Sequence, residues 1–117
     1  MTDLKHRDLA AGAWWRLSLV EQLGNVGSEI SRAERWKTRN ADLSRAALYR
    51  ALELLDLTLA DPRLRLSRPR LREIARAREI VADYFAGGNE YGSTGVSLQK
   101  YFDAFAVAAR GAQAPRP

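Results

Sequence analysis

The chain has 117 residues, of which 46% are hydrophobic and 28% charged, and 19 Lys and Arg against 14 Asp and Glu give a net charge of +5. It has no cysteine and one histidine, His6. Disulfides, Cys-ligated metals and thiol nucleophiles are therefore excluded, and His-rich metal sites and Ser-His-Asp catalysis lack their parts. No apolar run reaches membrane-spanning length and residues 1–8 do not read as a secretory signal, so the expectation is a cytoplasmic protein of one domain with no membrane contact.

Four segments show helical periodicity and none shows strand alternation. The first runs from Gly12 or Ala13 to Trp36 or Lys37. Its apolar positions Leu19, Leu23, Val26, Ile30 and Ala33 keep to one stripe, which Trp15 extends towards the N-terminus. The second runs from Ala41 to Ala60, with Asn40 or Asp42 as cap and Asp61-Pro62 as stop. Leu48, Leu52, Leu55 and Leu59 form its apolar face, beside Ala51 and Thr58.

The third helix begins near Ser67 to Pro69, since Ser caps well and Pro suits a first turn. Leu71, Ile74, Ala77, Val81, Tyr84 and Phe85 form its buried face, and Gly87-Gly88 is expected to end it in a left-handed conformation. A polar loop, residues 89–95, leads to a last helix from Val96 or Ser97 to Arg110, with Leu98, Tyr101, Phe102, Phe105 and Ala109 inward. Short connections between long amphipathic helices make antiparallel neighbours. The expected fold is all-α: an up-and-down antiparallel four-helix bundle over residues 1–110, with residues 111–117 a disordered C-terminal tail.

The first helix carries most of the information. Gly24, Gly27 and Ser31 form a row of small residues. An interior glycine costs roughly 0.5–1 kcal/mol relative to alanine, so two of them ask for a reason. Close approach of another helix, within the chain or across a dimer, is preferred to a ligand site. On the other flank Ser18, Gln22, Asn25, Glu29 and Arg32 form a polar row. Its plain reading is a solvated face. Its sharper reading is a groove for a ligand or partner, bordered by Asn25, Glu29 and Arg32 and completed by Arg78 of the third helix. Arg78 sits where that helix should be apolar, and a structural ion pair with Glu29, Asp56, Glu79 or Asp103 is the preferred account. No catalytic residue, metal site or cofactor site emerges: the only histidine lies outside every helix, and no strand precedes the glycine-containing loops. Tyr91, in that loop, is read as packing back on the bundle end, with a partner anchor as the alternative.

The charge is uneven. Residues 61–78 hold seven arginines, among them Arg63, Arg65, Arg68, Arg70 and Arg72, against Asp61 and Glu73, a balance of +5; the rest of the chain sums to zero. Such a cluster grips phosphates bidentately, which makes it the candidate contact for an anion or nucleic acid. Its interleaved residues are leucines rather than aromatics, and they do not support base stacking.

Residues 21–33, then Trp36-Lys37, Arg50 to Thr58, Asp61-Pro62-Arg63, Arg78-Glu79, Asp83-Tyr84-Phe85, Asn89, Tyr91 and Tyr101-Phe102 form a pattern similar to a family of small prokaryotic helical-bundle proteins without an assigned activity. A more distant likeness is to HEPN-type bundles. Their motif of Arg followed four to six residues later by His is missing here, which argues against ribonuclease chemistry. The expectation is a non-enzymatic bundle that acts by self-association, as a homodimer, and by binding a protein partner. The alternatives are a nucleic-acid-associated bundle using residues 61–78, or a HEPN-like toxin–antitoxin component without catalytic activity.

Overall fold

The computed structural model describes residues 11–113, with side chains to residue 111. Four long helices, α1 (Leu19–Trp36), α2 (Ala41–Leu59), α3 (Arg68–Ala86) and α4 (Gly95–Gln113), account for most of it, with a 3-10 turn at Pro62–Leu66 between α2 and α3. No strand occurs among the described residues.

The first predicted helix is two pieces, which corrects the expectation of one run from residue 12 or 13. A helical segment ends at residue 15, and α1 starts after Ser18. The cause is local. Ser18 Oγ accepts from the Glu21 amide at 3.2 Å, and Glu21 Oε1 accepts from the Ser18 amide at 3.0 Å, a reciprocal box that fixes a helix start. The preceding turn is tied to α2 instead: Trp14 Nε1 donates to Thr58 Oγ1 at 2.9 Å and Trp15 Nε1 to the Leu57 carbonyl at 2.7 Å.

The other starts follow their caps. Asn40 accepts from the Leu43 amide, Ser67 from the Arg70 amide with Pro69 in the first turn, and Thr94 exchanges hydrogen bonds with Ser97. The stop after α3 differs from expectation. Gly87 is extended at φ −104°, and the left-handed residues are Asn89 (φ 52°) and Gly92 (φ 65°). Asp83 explains this. Its carboxylate accepts from the amides of Glu90 and Tyr91, while Asn89 pairs with both backbone groups of Ser93, so side chains turn the loop. The helix end differs from expectation too: residues 111–113 continue α4 where a tail was expected, and residues 114–117 lie outside the described residues, as does His6.

α1 is the central helix, packed along its length against α2 on one side and α4 on the other; α3 leans on α2. Leu23, Val26, Ile30 and Ala33 of α1 meet Leu48, Ala51 and Leu55 of α2, Ile74 and Val81 of α3, and Phe102 of α4 in one core. Each large apolar side chain buried there contributes roughly 1.5–3 kcal/mol.

Candidate functional site

The most enclosed polar cluster lies where the α2–α3 connection meets the start of α1. Asp61 caps the 3-10 turn by accepting from the Arg63 amide at 2.9 Å, and the residue is 1% exposed. The Arg63 guanidinium lies against both carboxylate oxygens and reaches on to the carbonyls of Trp15, at 3.0 Å, and Leu17, at 2.8 Å. Gln22 Nε2 donates to Asp61 Oδ2 at 3.0 Å and to the Leu17 carbonyl at 3.2 Å. The Arg63 hydrogen bonds hold the Asp61 carboxyl at about 2, against the opposing effect of burial, with smaller help from Gln22. The same pair raises Arg63 above its ordinary range. This cluster joins three chain segments and is structural. Arg63 is thereby withdrawn from the anion-contact set.

The groove expected from Asn25, Glu29, Arg32 and Arg78 is not assembled. Glu29 is buried and accepts from Arg32 at 2.9 Å and from Arg50 of α2 at 3.4 Å, so it faces α2 and not α3. Arg78 pairs instead with Asp56 of α2, Nε to Oδ1 at 2.5 Å and Nη2 to Oδ2 at 3.2 Å, a two-pronged ion pair between helices. Asn25 is exposed. The polar row is also not uniformly solvated: Gln22 and Glu29 are buried while Asn25 and Arg32 are exposed, because α2 covers one edge of it.

The remaining arginines divide. Arg70 pairs with Glu73 at 3.2 Å on the surface of α3. Arg65, Arg68, Arg72 and Arg76 make no ion pair with any described residue, and all four are exposed. Four unpaired guanidiniums around the start of α3 leave positive charge on that edge, and three of the seven cationic groups are spent on acids.

The small residues mark the α1–α4 seam. A Cβ at Gly27 would lie 2.8 Å from Phe102 Cβ, and one at Gly24 would lie 3.1 Å from Ala106 Cα. These glycines therefore let α4 sit against the α1 backbone. Beside the seam, Ser31 and Arg32 line a polar cleft of about 400 Å³ with Arg35, Gln99, Asp103 and Arg110. Between α3 and α4 lies a second, apolar groove of about 270 Å³, with Ala77, Ile80, Leu98, Tyr101 and Phe102 on its walls. Tyr101 closes one end by donating to Glu73 Oε1 at 3.1 Å; burial first and the Glu73 charge second push its hydroxyl up to about 12. Tyr91 is half exposed, and its hydroxyl donates to Glu79 Oε2 at 3.0 Å, which docks the loop on α3. That bond gives the tyrosine a place within its own chain.

Several features of the site carry only weak signals in the sequence. Asp61 looked like a helix stop, yet the Asp-Pro-Arg order is also the signature of a side-chain-capped turn, which was the available signal. Gln22 gave none: its burial depends on where Asp61 lands. Val96 and Val107 are exposed at 80% and 58% on α4; both lie off the inward face expected for that helix, which is the available signal. Among the described residues no three His, Cys, Asp or Glu side chains gather into a metal-holding group, and no helix is long and apolar enough to cross a membrane. No protein-family model, curated protein or solved structure matches the chain.

Proposed function

We propose that this protein is a cytoplasmic, non-enzymatic binding module: an up-and-down antiparallel four-helix bundle that works by self-association, as a homodimer, and by docking a protein partner. The topology is supported by contacts whose order reverses along neighbouring helices: Glu29 with Arg50 and Ala33 with Ser44, Gly24 with Ala106 and Gly27 with Phe102, and Asp56 with Arg78 while Leu48 and Phe85 line one pocket. Kinship with small prokaryotic helical proteins belongs to the same proposal and adds no activity to it.

The observation that carries the reading is apolar surface left bare. Val96 and Val107 stay exposed on α4. Meanwhile Glu29, Asp61, Arg63 and Arg78, the enclosed or paired charged groups, are engaged with one another or with other protein groups. Apolar side chains that share one exposed stripe of a helix offer a contact surface where single ones do not. Light scattering across a concentration series tests it: a mass rising towards twice the 13.1 kDa chain is expected, and a monomer at every concentration overturns it.

A second reading, association with nucleic acid, rests on Arg65, Arg68, Arg72 and Arg76, which have no acid partner among the described residues. The likeness to HEPN-type bundles belongs with it, as a toxin–antitoxin component without catalytic activity. Titration of duplex and single-stranded RNA and DNA at low salt tests this reading. Binding that falls steeply with salt, and falls again when Arg68 and Arg72 become alanine, supports it; no binding at low salt removes it.

A further inference from the structure

The outward face of α4 has an order of residues that a two-fold axis can use. Leu98, Phe102 and Phe105 set the inward face of this helix. Directly opposite them, at spacings of four, three and four, stand Val96, Lys100, Asp103 and Val107, all exposed. The outermost stripe of a surface helix is ordinarily its most polar. Here the two ends are valine, one of them 80% exposed, and the two centre positions carry opposite charges. Ala104, Ala108 and Gly111, also exposed, flank the stripe with small side chains that let another helix come close.

We infer that this stripe is the surface on which a second copy of the chain docks, α4 against α4 in antiparallel register. The inference rests on the self-association reading above and names its surface. The order apolar, cation, anion, apolar is self-complementary under two-fold symmetry. In a single register Val96 faces Val107 of the partner subunit, Lys100 faces Asp103 of the partner subunit, and both contacts are repeated across the axis. A parallel pairing sets Lys100 near Lys100 of the partner subunit, and a shift of one helical turn sets a charge against a valine. The ion pairs thus choose register and orientation, and the valines supply the apolar burial. Lys100 makes no ion pair with any described residue, and Asp103 accepts only a neutral bond from Gln99 at 2.8 Å, so both charges remain open to the partner. Val96 to Val107 spans roughly 17 Å of helix, less than a standard interface needs. The dimer is therefore reversible on dilution.

The test is a charge exchange on the full chain, followed by sedimentation at several concentrations. Lys100→Asp places Asp against Asp at both contacts, and Asp103→Lys places Lys against Lys. Each alone is expected to raise the dimer dissociation constant at least tenfold. Mixing the two variants is expected to restore a mixed dimer, because both contacts then join an Asp of one chain to a Lys of the other, and the double variant Lys100→Asp/Asp103→Lys is expected to dimerise as the wild type does. Rescue in the double variant also shows that each substitution is compatible with the fold. A wild-type dimer indifferent to both reversals, or weakened without rescue, overturns this surface and leaves self-association standing. A wild type that is monomeric at every concentration overturns both.

Discussion

α4 makes two seams, and they are built differently. Against α1 it is closed: Gly24 and Gly27 bring Ala106 and Phe102 onto the α1 backbone, and at its start a methyl on Gly95 would fall on the Glu34 carboxylate. Against α3 it is open, with a groove of about 270 Å³ between Ala77 and Ile80 on one wall and Leu98 and Tyr101 on the other. The same helix thus shows both ways in which a helix of a small all-α protein meets its neighbours. Where side chains are removed, backbones touch and the contact is unforgiving. Where aromatic side chains hold helices apart, the contact tolerates change. The α1 half of the molecule should consequently be brittle, and the α3 half permissive.

Gly27→Val is the substitution that breaks this comparison most sharply. The added Cβ begins 2.8 Å from Phe102 Cβ, an atom next to the backbone that cannot rotate away, and α4 must move as a whole. Overpacking of this kind costs about 3 kcal/mol, less the few tenths gained by replacing glycine in a helix. Denaturant unfolding should show that loss, with the midpoint falling and the slope unchanged.

Acid should also act on the closed half, through Asp61. The folded carboxyl titrates at about 2 rather than 3.8 because Arg63 stabilises its charged form. A depressed folded value means that stability is fully present above about pH 4 and is lost as pH falls towards about 2; the amount is about 2 kcal/mol. Asp61→Asn isolates it. The variant should unfold about 2 kcal/mol more easily than wild type at pH 6, with the two stability curves converging as pH approaches about 2. Parallel curves over that range would show that Arg63 does not hold the carboxylate.

These two residues also show where the sequence was legible and where it was not. Helices α2, α3 and α4 could be read because each carries an apolar stripe, to which α2 and α3 add a local cap at Asn40 and Ser67, and these signals lie within one element; the Thr94–Ser97 exchange that starts α4 lies in the stretch expected to be loop. The break before Leu19 was written in the Ser18–Glu21 spacing but masked by an apolar periodicity that continues through Trp15. Close packing at Gly24 and Gly27 was legible as a class, since glycine within a helix is costly; that α4 is the neighbour was not. The groove around Arg78 failed for a similar reason. Periodicity fixes which residues share a face of one helix, but Glu29 and Arg78 both turn to α2, and no single-helix pattern states which neighbour a face meets.

The Arg78–Asp56 pair gives the permissive half a smaller test. It is the two-pronged ion pair that links α3 to α2, yet the arginine side chain is 34% exposed and the aspartate 57%. Solvent screens such a pair, and its contribution stays below about 1 kcal/mol. Arg78→Ala should lower stability by no more than that, with part of the effect removed by salt. A larger, salt-insensitive loss would mean that the aliphatic stem of Arg78 packs as core and that α3 is less permissive than its groove suggests.

The smallest expected effect sharpens the comparison most. Ala77 lies on α3 at 8% exposure and lines the open groove. Ala77→Val adds two methyl groups there, enough to overpack a tight seam. The groove offers space beside Ile80 and Leu98, so the added carbons gain apolar contact that offsets the cost of a β-branched residue in a helix, roughly 0.5 kcal/mol. The net change should lie within about 0.5 kcal/mol of zero, against a loss several times larger for Gly27→Val. Phe102 borders both positions, so the double variant reads the coupling between the seams directly: a loss equal to the sum of the two separate changes is expected if each seam yields on its own. A double variant that recovered stability would mean that α4, displaced by Gly27→Val, had swung into the α3 groove, and the two seams would then be one mobile contact rather than a closed and an open one.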